Sequence, residues 1–135
     1  MTPYLSTDQF YACAKRLFSE METTNPRAAD PILASQMVIR MRFTEPEAEF
    51  TINGRQRPAQ TTFGPSTLRP TLEIEMAADT LHRILLGELL IKTAVANGRL
   101  QVRGPVWKVK ALADFFHELQ ARYAELLDEQ GLPAC

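Results

Sequence analysis

Apolar residues in this chain recur at two different spacings, and the order of those spacings limits the folds open to it. A helical spacing occupies both ends of the chain, whereas alternation of apolar and polar residues dominates residues 36–76. The alternation is clearest at Leu72, Ile74 and Met76, because a glutamate separates each from the next. Strands with one apolar face need helices to cover that face. The pattern therefore predicts an α+β domain of two layers.

The same patterns predict the individual elements. Ser6 and Gln9 have the spacing of a capping box and begin a helix that runs from about Thr7 to Thr23. The longest helix is expected from about Val106 to Asp128, before a glycine and a proline near the C-terminus. Strands are predicted over residues 36–43, 48–52, 57–63, 71–76 and 99–103, and short helices over residues 79–87 and 89–96. The predicted fold is a five-stranded twisted sheet with one face covered by helices.

Two glycines mark predicted turns. Asn53-Gly54 follows an alternating strand and favours a tight type I′ hairpin, because both central residues of that turn need positive φ. Gly104 stands where the last strand must turn sharply into the final helix. We therefore expect replacement of Gly104 to destabilise the fold.

The composition excludes several classes of function. The 15 basic and 16 acidic side chains leave a formal charge of −1, so the chain has no general attraction to nucleic acid. No apolar stretch reaches the roughly 20 residues that a membrane-spanning helix needs, although transient contact with a membrane stays open. Neither end resembles a secretory leader or a peroxisomal address, so a cytoplasmic protein is expected.

Patterns typical of catalysis and metal binding are missing from the sequence. His82 and His117 fall in separate predicted helices, and no nucleophile elbow or metal-binding pair of histidines or cysteines accompanies them. We therefore predict no enzyme activity, no catalytic residue, no metal site and no cofactor.

The segment from Leu72 to Leu112 carries a family resemblance. An alternating strand leads to a helix that ends at Gly87, an apolar run follows, and a strand enclosed by Gly98 and Gly104 precedes the final helix. This order resembles the signature half of the sterol carrier protein type 2 family, as a stand-alone member of bacterial type. The resemblance extends from Met37 to about Phe116.

The resemblance implies a single lipid-binding domain over residues 1–135, with an internal hydrophobic tunnel between the sheet and the helices. It implies binding and transfer or presentation of an apolar lipid, whether sterol-like, fatty acid, acyl-CoA or isoprenoid, without catalysis. The partner would be a hydrophobic small molecule rather than nucleic acid. The candidate ligand-binding residues are Met41, Phe50, Met76, Leu85, Leu89, Trp107, Leu112 and Phe116.

Two alternative functions stay open. The first is an accessory factor that presents a lipid in isoprenoid quinone biosynthesis. The second is a small acyl-CoA thioesterase of the hot-dog type, in which Asp114 or Glu118 of the final helix would be the catalytic acid. The final position of the longest helix speaks against the second, because a hot-dog sheet wraps around a central helix.

Basic residues offer a candidate site for an acidic lipid head group. Lys108 and Lys110 lie at the start of the final helix, where a cavity mouth is expected. The arginines of the strands are more simply explained by pairing across the sheet with Glu49, Glu73 and Glu75.

Overall fold

The computed structural model describes residues 6–130, and it describes the side chains of residues 6–126. Gly131 and Pro133, which were expected to stop the final helix, lie outside the described residues. The helices are α1 (Thr7–Thr24), α2 (Asp30–Ala34), α3 (Ala78–Leu85), α4 (Ile91–Ala96) and α5 (Val109–Gln130). The strands are β1 (Val38–Thr44), β2 (Ala48–Asn53), β3 (Gln60–Phe63), β4 (Leu72–Ala77) and β5 (Leu100–Arg103). A short 3-10 helix over Val106–Lys108 precedes α5.

The five strands form one mixed sheet in the order β3-β2-β1-β4-β5. Neighbouring strands are antiparallel except β1 and β4, which are parallel. Met41 of β1 lies opposite Phe50 of β2 and Ile74 of β4, and all three are fully buried. The helices cover this apolar face, so the predicted α+β fold with a five-stranded sheet and a long C-terminal helix is confirmed.

The start of α1 agrees with its capping signal. Ser6 is the N-cap residue, and its hydroxyl accepts a hydrogen bond from the backbone N–H of Gln9 at 3.1 Å. Phe10 and Leu17 lie on the same face of α1, and both are buried in the core. Helix α1 is tied to α5 by Arg122, which donates to both carboxylate oxygens of Glu20 at 3.2 and 2.8 Å.

The predicted type I′ hairpin at Asn53-Gly54 is wrong. Neither residue has positive φ, and β2 and β3 are joined by the six residues between Asn53 and Gln60. Gly54 is instead required by close packing. A Cβ atom there would lie 2.7 Å from the carbonyl oxygen of Met37 and 2.7 Å from a methyl carbon of Ile32. The glycine that suggested a turn therefore serves the contact between β2 and α2.

The outer face of the sheet carries the expected cross-strand ion pairs. Arg42 lies 3.8 Å from a carboxylate oxygen of Glu49 and 3.4 Å from one of Glu73. Arg40 also reaches both glutamates, at 4.0 and 3.9 Å. Glu75, the third glutamate expected to pair, faces Arg42 in the strand register. Arg40 and Arg42 of β1 thus form ion pairs within the sheet.

Part of this outer face is covered by the loop between β3 and β4. The guanidinium of Arg40 donates to the backbone carbonyls of Ser66 at 3.0 Å and Leu68 at 2.8 Å. Beneath the loop, Val38 and Thr51 are buried although they lie on the polar side of their strands. Arg40 is therefore a structural anchor for this loop.

None of the helices within the described part of the chain is both long and apolar enough to cross a membrane.

Candidate functional site

An open apolar groove lies between α4 and the start of α5. It has a volume of about 500 Å³, within the range of about 300–1,000 Å³ that is typical of small-molecule sites. Its walls come from the loop before α4, from α4, from the 3-10 helix and from the first turns of α5. The groove is lined by Leu90, Ile91, Lys92, Val95, Val106, Trp107, Val109, Lys110 and Ala113.

The groove has an exposed edge and a buried floor. Leu90, Val106 and Trp107 at the edge are 62%, 59% and 76% exposed. Ile91 and Val109 are buried and belong to the hydrophobic core of the domain. A ligand in the groove would thus rest directly on the core rather than on a separate surface layer.

A second, internal cavity lies where α1, α3 and α5 meet. Its volume is about 20 Å³, so it holds no more than about one water molecule. The cavity is lined by Phe10, Cys13, Ala14, Leu17, Phe18, Phe50, Leu81, Leu85, Phe116, Leu119 and Tyr123.

One stripe of α5 forms a wall of both spaces. Val109 and Ala113 face the groove, whereas Phe116 and Tyr123 face the internal cavity. Leu112, which lies between Val109 and Ala113 along the helix, is fully buried. The spacing of these residues places them on one face, because residues three and four apart are neighbours on a helix. One face of α5 therefore contributes residues to both the groove and the cavity, over about 21 Å from Val109 to Tyr123.

The structure distributes the eight candidate ligand-binding residues over four places. Phe50, Leu85 and Phe116 line the internal cavity, and Trp107 lines the groove. Leu89 is partly buried against the core at the start of the segment that leads into α4. The remaining three, Met41, Met76 and Leu112, are buried core residues.

Several lining residues were not anticipated from the sequence. Leu90 and Val106 contribute to the groove, yet the sequence shows them only as parts of short apolar runs, and Val109 appears only as part of the apolar stripe of the final helix. Their place in the groove depends on how α4 packs beside α5, which is a tertiary feature. One signal was available: the apolar pair Val106-Trp107 follows Gly104-Pro105, a position that usually turns toward solvent.

The ionisable residues near these spaces have structural contacts. Nδ1 of His82 lies 2.5 Å from the hydroxyl of Tyr123, which links α3 to α5. Burial lowers the pKa of His82 below its usual value, and nearby Asp79 and Glu88 oppose this shift. His117 is exposed on α5 and lines neither space.

The two residues considered as a catalytic acid lie at the surface. Asp114 accepts a hydrogen bond from the ammonium of Lys110 at 3.1 Å, and Glu118 accepts one from the side chain of Asn25 at 2.9 Å. Neither carboxylate lines the internal cavity. Their surroundings are those of solvated surface groups and give the thioesterase hypothesis no support.

The two lysines expected near the cavity mouth are at the groove. Lys110 lines it together with Lys92, and Nζ of Lys108 lies 5.3 Å from the centre of the Trp107 ring. The arginines of β1 are held in the ion pairs of the outer sheet face instead. Positive charge near the groove therefore comes from lysine.

Comparison with solved structures identifies sterol carrier domains as structural neighbours of this chain. Sterol carrier protein 2 from Yarrowia lipolytica, in its apo form, gives a TM-score of 0.63 at 12% sequence identity over 84% of this chain and 91% of that one. A ubiquinone synthesis protein, UbiJ-SCP2, gives 0.56 at 15% identity over 76% and 84%. Palmitated SCP2L2 from Aedes aegypti gives 0.51 at 14% identity over 71% and 93%. The chain has the fold of these proteins.

Sequence comparison adds nothing to this, since no family model and no curated protein sequence matches the chain significantly.

Proposed function

We propose that this chain, as a single domain with the sterol carrier fold, binds and carries an apolar lipid with a single long chain. The observation that carries the proposal is the apolar face of α5, which contributes residues to both the open groove and the internal cavity. A fatty acid would enter at the groove and extend along this stripe past Leu112. The eight candidate residues would then form the wall and floor of the occupied space.

Entry of a lipid requires the helices to separate. The internal cavity of about 20 Å³ is far too small for an acyl chain, so α5 must move away from α1 and α3 as the chain enters. Each buried CH₂ group contributes roughly 0.8 kcal/mol, which can offset the lost helix contacts. Because the lining is apolar, selectivity should depend on length and width more than on polar groups.

The proposal is tested by narrowing the groove. Ala113 lines the groove and Ala121 is exposed on the same helix. We expect Ala113→Phe to weaken palmitate binding by at least about tenfold, since the added ring occupies ligand volume. The matched control Ala121→Phe should bind as wild type does. Native mass spectrometry and displacement of a fluorescent fatty acid measure both.

Two results would overturn the proposal. Wild-type protein that neither retains an apolar lipid nor binds one in solution would exclude the carrier function. Unchanged binding by Ala113→Phe, with the variant folded, would show that the groove is not the way in.

A second candidate function is presentation of an isoprenoid lipid to biosynthetic enzymes. It is favoured by the likeness to the ubiquinone synthesis protein, and the same apolar stripe would serve it. Mass spectrometry of the lipid extracted from the purified protein separates the two functions. Isoprenoid quinone precursors together with co-purified enzymes would support presentation, whereas fatty acids alone would support a general carrier.

A further inference from the structure

Exposed apolar side chains are concentrated at the edge of the groove. Within residues 6–126, four large apolar side chains are exposed, and three of them are Leu90, Val106 and Trp107. The fourth, Leu68, lies on the loop that covers the outer face of the sheet and is only 39% exposed. Three exposed apolar residues on one edge indicate a surface that binds another apolar surface.

Lysine is concentrated at the same place. The chain has only four lysines among its 15 basic residues, and Lys92, Lys108 and Lys110 surround this edge. Lys110 pairs with Asp114 at 3.1 Å, whereas Lys92 and Lys108 form no ion pair with any described residue. We call the three apolar residues and the three lysines the docking rim.

We propose that the docking rim binds the surface of an anionic membrane, so that the groove opens onto the lipids. Tryptophan and lysine suit the boundary between head groups and acyl chains, because each has an apolar body and a polar or charged end. Lys108 above the Trp107 ring would follow it to that boundary and meet lipid phosphates there. The formal charge of the whole chain is −1, so the attraction is local to the rim.

A membrane fits the rim better than a second copy of the chain does. In a twofold dimer formed through this edge, the same lysines would face each other across the interface and repel. An anionic surface instead pairs all three lysines while it covers the apolar residues. If the chain carries lipid as proposed, the membrane would be the source of that lipid. The inference rests on the proposed function in this respect only, because vesicle binding is measured separately from lipid uptake.

The single tryptophan allows a direct experiment. The probes are vesicles of equimolar phosphatidylcholine and phosphatidylglycerol, compared with vesicles of phosphatidylcholine alone. Because Trp107 is 76% exposed, its emission should shift to shorter wavelength with the anionic vesicles, and the protein should float with them. Neutral vesicles should give neither result, and high salt should reverse both.

Two pairs of variants test the residues of the rim. Lys108 and Lys15 each lie over an aromatic ring, at 5.3 and 5.7 Å, but Lys15 is on α1 away from the rim. Lys108→Gln should bind anionic vesicles about fivefold more weakly, and Lys15→Gln should bind as wild type does. Val106→Ser should weaken binding by about tenfold. Its matched control, Leu68→Ser, should bind as wild type does.

Each contrary outcome has a definite meaning. The proposal that the rim binds an anionic membrane would be wrong if the protein bound neutral vesicles equally well or bound no vesicles at all. It would also be wrong if Lys15→Gln weakened binding as much as Lys108→Gln does. A concentration-dependent dimer that Val106→Ser abolishes would replace it with a second copy of the chain. Palmitate uptake without vesicle binding would contradict membrane binding by the docking rim but support the carrier function. Vesicle binding without palmitate uptake would contradict the carrier function but support membrane binding by the rim.

Discussion

Gly104 shows how one residue can be fixed by both backbone conformation and space. Its φ is +120°, which L side chains rarely adopt, and a Cβ atom would lie 2.7 Å from the carbonyl oxygen of Thr71. Gly64 also has positive φ, at +96°, but a Cβ atom there would meet no atom within 4 Å. The two positions therefore separate backbone strain from steric overlap.

We expect Gly104→Val to lower the free energy of unfolding by about 2–4 kcal/mol, because strain and overlap add. Gly64→Val, which introduces only strain, should lower it by less. Urea denaturation of both variants measures the difference. Equal losses would mean that the neighbouring strand simply moves aside at Gly104.

His82 should make the stability of the fold depend on pH. Burial lowers the pKa of His82 in the folded chain, so below its ordinary value of about 6.5 the unfolded chain takes up a proton more readily than the folded chain does. The free energy of unfolding should therefore fall as the pH is lowered from 7 toward 5. His82→Gln should reduce this slope, with His117→Gln as the matched control for loss of a histidine. A slope in His82→Gln as steep as in wild type would contradict the prediction.

At the scale of elements, prediction from sequence succeeded where one local signal decided the structure. Strand β4 alternates without interruption, and α1 begins at Thr7, directly after its N-cap residue Ser6. Asn53-Gly54 misled because its signal was also local, whereas the reason for Gly54 is a contact with α2 that only the folded chain creates.

The candidate site could be predicted only in part for the same reason. Lys108 and Lys110 were predicted to lie at a cavity mouth because they start the final helix, and Trp107 was predicted to bind ligand; all three lie at the groove. The contribution of α1 to the internal cavity, through Phe10 and Leu17, was missed because helical periodicity indicates that a face is buried but not what it is buried against.

Helix α5 is the element whose packing should respond to lipid. Phe116 is 2% exposed and lines the internal cavity. We expect Phe116→Ala to lower the free energy of unfolding by about 3–5 kcal/mol without lipid. Palmitate should recover part of this loss, because an acyl chain can fill the new space. The same urea measurements with Leu119→Ala, also at the cavity, provide a comparison. No recovery in either variant would indicate that lipid does not reach this part of α5.

At the scale of the whole molecule, the small cavity of the closed form lowers the free energy of unfolding only slightly. A cavity of about 20 Å³ corresponds to about 0.5 kcal/mol at about 24 cal/mol per Å³. An empty tunnel of about 400 Å³ would cost about 10 kcal/mol, comparable to the entire stability of a domain. The empty protein should therefore stay closed, and opening should occur together with filling.

If the cavity opens only when lipid fills it, lipid should raise the Tm of the protein strongly. At a palmitate concentration about a hundredfold above Kd, the folded state gains about 2.7 kcal/mol, which should raise Tm by about 10 °C for a chain of this size. Ala113→Phe at the same palmitate concentration should show a clearly smaller shift than Ala121→Phe. A calorimetric scan distinguishes these outcomes, and equal shifts would argue against entry through the groove.

The single parallel pair in the sheet also bears on how the chain reaches its fold. Strands β1 and β2 are joined by a short connection, but the pairing of β1 with β4 brings together residues as far apart as Val38 and Thr71, 33 positions along the chain. Closing so long a loop costs entropy before any contact compensates for it. The β1–β2–β3 meander lies wholly inside that loop, so its formation shortens the distance that remains to be closed. Assembly should therefore start with the meander, and the rate of folding should be set by the arrival of β4.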